Sequence, residues 1–212
     1  MDDQHSPLSD YGNVAGNHYD KYASRNPIAR ALMNGFLGAF DGLAGQTGAR
    51  SAFEVGCGEG ELSLRLLRRG LAVRGCDLEA DVVAEANAAA LAAGFGEPFA
   101  VRSIYDIADG EIAADLVVCC EVLEHLPDPR AGLARLAAQR MDHVLLSVPR
   151  EPIWRVLNCA RGKYLTDFGN TPGHLQHWSR RGFVELVGGH FEIVTVRSPL
   201  PWTMLLARRR RA

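Results

Sequence analysis

The chain has 212 residues, a formal net charge of −2, 47% hydrophobic residues and 23% charged residues. This composition is typical of a globular domain, and it excludes an intrinsically disordered chain, a collagen-like chain and a coiled coil. The near-neutral charge argues against a dedicated nucleic-acid-binding protein, which carries a strong positive excess.

The five cysteines occur without a CxxC spacing, so the usual zinc-binding pattern is absent. We expect five reduced thiols in a reducing compartment. The N-terminal residues lack the basic and apolar regions of a secretory signal. No apolar run approaches the ~18 residues that are needed to span a membrane. The sequence therefore predicts a soluble cytoplasmic protein.

The first predicted element follows a polar segment, residues 1–26, which we expect to form a mobile arm. A cap helix is then predicted within residues 27–45, because apolar side chains from Ile28 to Phe40 recur on one helical face. We expect this helix to end near Gly42 and to be followed by a loop at Gly45–Gly48.

From Ser51 onward, short apolar strands alternate with helical segments. The predicted strands are residues 52–55, 71–76, 99–101, 116–120 and 144–148, and the predicted helices follow Gly60 and span residues 80–93 and 129–139. This alternation is typical of a parallel sheet with right-handed crossovers and helices on both faces.

The end of the chain breaks this alternation. A helix is predicted at residues 179–188, followed by strands at 191–196 and 202–207 with a proline-containing turn between them. Two strands joined by a short turn must be antiparallel. We therefore expect an antiparallel strand at or near one edge of the sheet, followed by a solvated basic tail at Arg208–Arg211.

A glycine-rich loop, Glu54–Gly60, leaves the first predicted strand and opens a helix. Glycines in such a loop let a ligand approach the main chain closely. The spacing is GxGxG rather than the dinucleotide fingerprint GxGxxG, since the third position of that fingerprint is Glu61. The carboxylates of Glu54 and Glu59 would repel a pyrophosphate, but they suit a ligand that carries a sulfonium and an α-ammonium.

Asp77 ends the second predicted strand, where an acid can accept hydrogen bonds from both hydroxyls of a ribose. Taken singly, Glu54 is explained as a salt-bridge or helix-dipole residue and Asp77 as a turn residue. Because both stand at the ends of consecutive strands of a parallel sheet, together they predict a nucleoside site.

These residues resemble the class I S-adenosylmethionine (SAM)-dependent methyltransferases. Glu54–Gly60 looks like their first motif, Asp77 like their ribose-binding acid, and Glu121–Leu126 (EVLEHL) is similar to a motif of the subgroup containing the ubiquinone and menaquinone methylases. The resemblance covers roughly residues 20–207. It implies a single α/β domain over residues 27–212, with a Rossmann-like, doubly wound, seven-stranded, mostly parallel sheet, an antiparallel last strand and helices on both faces.

The resemblance also implies SAM as the cofactor and S-adenosylhomocysteine (SAH) as the product. The cofactor-binding residues it indicates are Glu54, Gly56, Cys57, Gly58 and Gly60 at the methionine end, Asp77 and Leu78 at the ribose, Ser103 and Ile104 at the adenine, and Cys120 and Glu121 beneath the cofactor. Many relatives have Asp where this chain has Ser103, so the adenine contact is expected from backbone groups or from Ser103 Oγ.

Residues 149–178 form a long connection, which predicts a lid or substrate insertion over the carboxyl ends of the strands. The cap helix and the arm with Tyr19 and Tyr22 are expected to form the other wall of the acceptor pocket. The acceptor-binding candidates are Tyr22, Arg150, Trp154, Tyr164, His174 and Trp178. The candidate bases or acceptor-orienting residues are His125, His174 and His177, needed only if the acceptor is protonated. Core packing and loop-fixing hydrogen bonds are the structural alternatives for these side chains.

The predicted function is methyl transfer from SAM to an O, N or C atom of a small-molecule acceptor, without a metal. One alternative resembles the Hen1-type RNA 2′-O-methyltransferases, in which Glu121, Glu124, His125 and either His174 or His177 would bind a divalent ion. The acidic net charge disfavours an RNA substrate. A lipid-like quinone precursor at a membrane surface, entering past Trp154, Leu157 and Trp178, is another alternative. The last alternative is a non-catalytic module that binds SAM or another nucleotide.

Overall fold

The computed structural model describes residues 26–210. The α-helices and β-strands in this range are α1 (Pro27–Gln46), β1 (Ser51–Val55), α2 (Glu61–Arg68), β2 (Ala72–Asp77), α3 (Ala80–Ala92), β3 (Phe99–Val101), β4 (Leu116–Cys120), α4 (Pro129–Ala137), β5 (His143–Pro149), α5 (Ile153–Ala160), α6 (Arg180–Gly188), β6 (Phe191–Arg197) and β7 (Trp202–Arg209). The predicted arm lies outside the described residues except for Asn26, as do Tyr19 and Tyr22.

The strands form one sheet in the order β3-β2-β1-β4-β5-β7-β6. The pairs among β1 to β5 are parallel, and β7 is antiparallel to both β5 and β6. The chain runs outward from β1 to β3 and then returns to β4 on the other side of β1. The predicted fold class is therefore confirmed, and the point where the strand order reverses lies between β1 and β4.

The cap helix α1 is longer than the sequence predicts. It begins where Asn26 Oδ1 accepts a hydrogen bond from the Ile28 N–H (2.9 Å), with Pro27 at the first helical position. The expected end near Gly42 was wrong, because the helix continues through Gly45 to Gln46. Leu43 is fully buried on the helix's core face, so packing of this last turn outweighs the low helical propensity of glycine.

The core is divided between the two faces of the sheet. Alternate residues of β4 supply both halves: Cys120 belongs to the cluster that contains α1, and Cys119 belongs to the cluster that contains α6. All five cysteines are free thiols, as expected. The remaining predicted strands and helices agree with the structure to within two residues. No helix within residues 26–210 is both long enough and apolar enough to cross a bilayer.

Candidate functional site

The glycine-rich loop lies at the carboxyl end of β1, beside the point where the strand order reverses. Gly56, Gly58 and Gly60 have φ angles of 74°, 52° and 84°, a region that side-chain-bearing residues rarely adopt. A Cβ atom at Gly56 would lie 2.2 Å from Val122 Cγ2, so this position requires glycine. At Gly58 no described heavy atom lies within 4 Å of the Cβ position, so the loop faces open space there.

Asp77 joins this loop to the end of β2. Its Oδ2 accepts a hydrogen bond from the Gly58 N–H (2.9 Å), and its Oδ1 accepts one from the Glu79 N–H (3.2 Å). The Gly56 and Cys57 N–H groups both donate to the Cys76 carbonyl (2.8 and 3.0 Å). Each carboxylate oxygen has a second lone pair, so Asp77 can accept two further hydrogen bonds from a ligand's hydroxyl groups.

Glu54 lies behind the loop and is only 2% exposed. Ser63 Oγ donates to its Oε2 at 2.5 Å. Burial raises the pKa of Glu54 to about 8, and the negative charge of Asp77 adds to this shift, although the Ser63 hydrogen bond opposes it. At neutral pH the carboxyl group is therefore mostly protonated. Asp77 and the exposed Glu59 are the loop's negative charges under these conditions.

The other expected cofactor residues differ in exposure. Leu78 is 39% exposed and offers an apolar surface next to Asp77, whereas the side chains of Cys57, Ile104 and Cys120 are buried in the core. Ser103 Oγ accepts a hydrogen bond from the Tyr105 N–H (3.2 Å), so it caps its own turn.

Glu121 follows β4 directly and has a positive φ of 59°, which is uncommon for a residue with a side chain. Its carboxylate accepts a hydrogen bond from Ser147 Oγ (2.8 Å) and one from Trp202 Nε1 (2.6 Å). These two donors, from β5 and β7, fix the side chain at the carboxyl end of β4. The sequence pattern indicated neither donor beyond its place in a predicted strand.

Three of the predicted polar residues meet beyond β4. Ligand atoms of Glu124, His125 and His174 all lie within 4.8 Å of one another. The His125 and His174 rings are in edge contact with centroids 5.0 Å apart, and His125 Nδ1 lies 2.9 Å from the Gly173 carbonyl oxygen. Since a carbonyl can only accept, Nδ1 bears the proton and Nε2 is the basic nitrogen. Below, "the Glu-His-His cluster" means these three residues.

Two further members of the expected metal-binding set lie outside the Glu-His-His cluster. The carboxylate of Glu121 is directed to Ser147 and Trp202. His177 is exposed, and its Nε2 is 2.7 Å from Asn170 Oδ1. Of the three candidate bases, the structure therefore brings His125 and His174 together, whereas His177 contacts Asn170 and is not part of the cluster.

Residues 149–178 connect β5 to α6, and the two ends of this segment lie next to each other. Arg150 and Trp178 form an isolated parallel bridge, and the Glu151 N–H donates to the Trp178 carbonyl (2.9 Å). The returning segment of this excursion carries His174 and is joined to the turn after β4, because the Leu175 and Gln176 N–H groups both donate to the Glu124 carbonyl (2.8 and 3.0 Å). The role of residues 149–178 as a lid or substrate insertion stays a prediction.

The expected acceptor-binding residues are spread over this excursion. Trp154 stacks on His174 with centroids 5.8 Å apart, and its Nε1 donates to Thr171 Oγ1 (2.9 Å). Arg150 Nε is buried and has no hydrogen-bond partner within residues 26–210. Tyr164 is 37% exposed. Trp178 packs against Phe183 on the other face of the sheet, away from Trp154.

The pKa of Glu54 predicts how stability depends on pH. Because the folded state binds this proton more tightly than the unfolded state, the free energy of unfolding should fall as pH rises from about 5 to about 8. Glu54→Gln keeps the acceptor for Ser63 and removes the titration. The variant should therefore gain a few kcal/mol relative to wild type between pH 5.5 and pH 9 in urea titrations, an order-of-magnitude figure.

Glu59→Gln is the matched control, since this neighbouring carboxylate is exposed. Its stability difference from wild type should not change over the same pH range. An equal pH dependence in wild type and Glu54→Gln would show that Glu54 is ionised in the folded protein at neutral pH.

Comparisons with known proteins agree with this geometry. Residues 53–140 match the family model described as a methyltransferase domain. The chain is 30% identical over 167 residues to the ubiquinone biosynthesis O-methyltransferase of Methylococcus capsulatus, and the match covers 72% of this chain and 69% of that protein. Seven further proteins of that name match over 38–55% of their length.

Solved structures show the same fold. The magnesium protoporphyrin IX methyltransferase of Synechocystis PCC 6803 with bound SAH superimposes with a TM-score of 0.66 at 21% identity, covering 88% of this chain and 89% of that one. The methyltransferase domain of a bacterial Hen1 superimposes with a TM-score of 0.63 at 19% identity, covering 84% and 99%. The fold, the glycine-rich loop and the relative matched over most of its length lead to one conclusion: the chain belongs to the class I SAM-dependent methyltransferases.

Proposed function

We propose that this methyltransferase transfers the methyl group of SAM to an oxygen atom of a small-molecule acceptor held beneath residues 149–178. The observation that supports this most strongly is the position of the Glu-His-His cluster, in which Glu124 and His125 follow β4 and the segment that carries His174 is bonded to the Glu124 carbonyl. In doubly wound sheets, ligands bind beyond the carboxyl ends of the strands at this point. The O-methyltransferase activity in the names of the matched relatives supports oxygen as the acceptor atom.

The proposed cofactor site follows the loop and the neighbouring strand ends. Gly58 offers open space for the methionine end, Asp77 offers two acceptors for ribose hydroxyls, and Leu78 offers an apolar surface for the nucleoside. Ser103 and Ile104 remain the proposed adenine neighbours. Because their side chains are used in a turn cap and in the core, we assign the adenine contact to backbone groups there.

Methyl transfer from SAM requires little of the protein beyond the alignment of the two reactants. SAM is already activated, so the enzyme must place the acceptor oxygen in line with the methyl–sulfur bond and exclude water. A hydroxyl acceptor must also lose its proton. His125 Nε2 and the His174 ring, at the edge of the excursion, are the proposed proton acceptors. His177 is not part of this arrangement.

A specific observation favours a second version of this function, in which the Glu-His-His cluster holds a divalent cation. The donor set of one carboxylate and two imidazoles fits such an ion, and the Gly173 carbonyl orients the His125 ring as outer partners of metal-bound histidines do. A bound cation would stabilise the negative charge of the acceptor oxygen. The likeness to the Hen1 domain, at 19% identity, shows the fold alone, so we retain a small molecule as the acceptor.

The membrane-surface interpretation stays a prediction. It draws support from apolar side chains of the excursion that are exposed, since Phe168 is 82%, Val156 61% and Leu165 60% exposed.

The acceptor proposal predicts a preference among compounds. Purified protein and labelled SAM should methylate members of a panel of hydroxylated aromatic rings, and should leave the matching anilines unmodified, because the proposed site removes a proton from a hydroxyl group. Measured methyl transfer to the anilines alone would contradict oxygen as the acceptor atom.

The proposed ribose contact predicts a loss of cofactor affinity. Asp77→Asn replaces one acceptor oxygen by a donor, so SAH binding in isothermal titration should weaken by about 1–3 kcal/mol. Asp81→Asn, at an exposed position in the first turn of α3, should bind SAH as wild type does. Equal affinities for wild type and Asp77→Asn, with circular dichroism showing both folded, would mean that the ribose lies elsewhere.

The cation proposal predicts a site that depends on His174 and not on His177. After treatment with a chelator, wild type should bind one Mn²⁺ or Zn²⁺ per chain in a titration, and His174→Asn should weaken this binding at least about tenfold. His177→Asn is the matched control, and its metal affinity should equal that of wild type. If wild type binds no divalent ion, the cation version is rejected and the proton-acceptor version is retained.

A further inference from the structure

Four rings form a continuous aromatic column above one face of the sheet. Phe36 of α1 contacts Trp202 at the start of β7 (centroids 5.0 Å apart), Trp202 contacts Trp154 of α5 (5.7 Å), and Trp154 contacts His174 (5.8 Å). The column thus joins the cap helix, the sheet and the excursion of residues 149–178. Its central member, Trp202, is 5% exposed.

Trp202 also makes a polar contact with Glu121, the residue that follows β4. Its indole N–H donates to Glu121 Oε2 at 2.6 Å, while Ser147 Oγ donates to Glu121 Oε1 at 2.8 Å. A hydrogen bond to a carboxylate is stronger than one between neutral groups. Two such donors from two different strands hold the carboxylate in one orientation, at the residue whose backbone is in the uncommon positive-φ region.

We infer that Trp202 is a positioning residue that holds the carboxylate of Glu121 toward the sulfonium of SAM, and so makes the site prefer SAM to its neutral thioether product. The inference rests on the proposed function and adds a place for Glu121 beneath the cofactor, because Glu121 follows β4 and the next residue, Val122, lies against Gly56 of the glycine-rich loop. A carboxylate near the sulfonium attracts SAM and has no such attraction for the uncharged sulfur of SAH. Trp202 also packs against Trp154, so one side chain contacts both the Glu121 carboxylate and residues 149–178.

The ratio of the affinities for SAM and SAH is a readout that a purely structural role of Trp202 would not change. A residue with a structural role only would lower the affinities for SAM and SAH by the same factor. A residue that orients a carboxylate near the sulfonium would change the ratio of the two affinities. This ratio is measurable by isothermal titration without an acceptor, because both ligands bind to the same site.

The test compares wild type with Trp202→Phe, which keeps an aromatic ring and removes the N–H donor, and with Glu121→Gln, which removes the charge. The SAM-over-SAH affinity ratio should fall about tenfold in Glu121→Gln and about threefold in Trp202→Phe, as expected for loss of a charge and loss of one of its two donors. Ser147→Ala removes the other donor and should lower the ratio in the same direction, which keeps the inference testable if Trp202→Phe does not fold.

Thr203→Val is the matched control. Thr203 neighbours Trp202 on β7, is fully buried, and its Oγ1 has no hydrogen-bond partner within residues 26–210. The ratio should be unchanged in this variant. An unchanged ratio in Trp202→Phe and Ser147→Ala, with both folded, would overturn the inference. Absence of SAM and SAH binding in wild type would instead overturn the proposed function, and the inference with it.

Discussion

The carboxylate of Asp77 is the contact on which the proposed cofactor crevice depends. It joins the loop after β1 to the end of β2 through the Gly58 and Glu79 N–H groups. Adjacent parallel strands end at the same edge of the sheet, so one side chain can reach both. The left-handed glycines let the loop turn tightly enough to present its N–H group to this carboxylate.

A second set of contacts assembles the acceptor side from distant parts of the chain. Glu124 and His125 follow β4, whereas His174 lies near the end of the connection that follows β5, residues 149–178. The Glu124 carbonyl accepts the backbone hydrogen bonds of Leu175 and Gln176, and this anchoring brings His174 into contact with His125. The main chain of one cluster member therefore positions another.

The electrostatics of the crevice differ from what the sequence pattern indicates. Glu54 and Glu59 are both carboxylates in the sequence, but burial makes Glu54 mostly neutral at pH 7. The burial of Glu54 depends on the packing of α2, in which Ser63 contacts Glu54. The sequence of the glycine-rich loop does not indicate this packing. A cation bound nearby would favour the ionised form of Glu54, so ligand charge and the protonation of this residue are expected to be coupled.

The sheet was predictable because alternating strands and helices have different periodicities, and because the β6–β7 turn requires antiparallel strands. The glycine-rich loop and Asp77 were predictable from their place at strand ends. The end of α1 was not, because tertiary packing of Leu43 decides it. Trp202 and Ser147 were missed as partners of Glu121. Sequence periodicity indicates which residues are buried, but it does not indicate side-chain contacts between β4, β5 and β7.

The most direct measurement is a crystal structure of the protein with SAH. We expect the ribose hydroxyls within about 3 Å of the Asp77 carboxylate and the sulfur between the glycine-rich loop and Glu121. An adenosyl group bound away from Asp77, or a crevice filled by the protein's own side chains, would contradict the account.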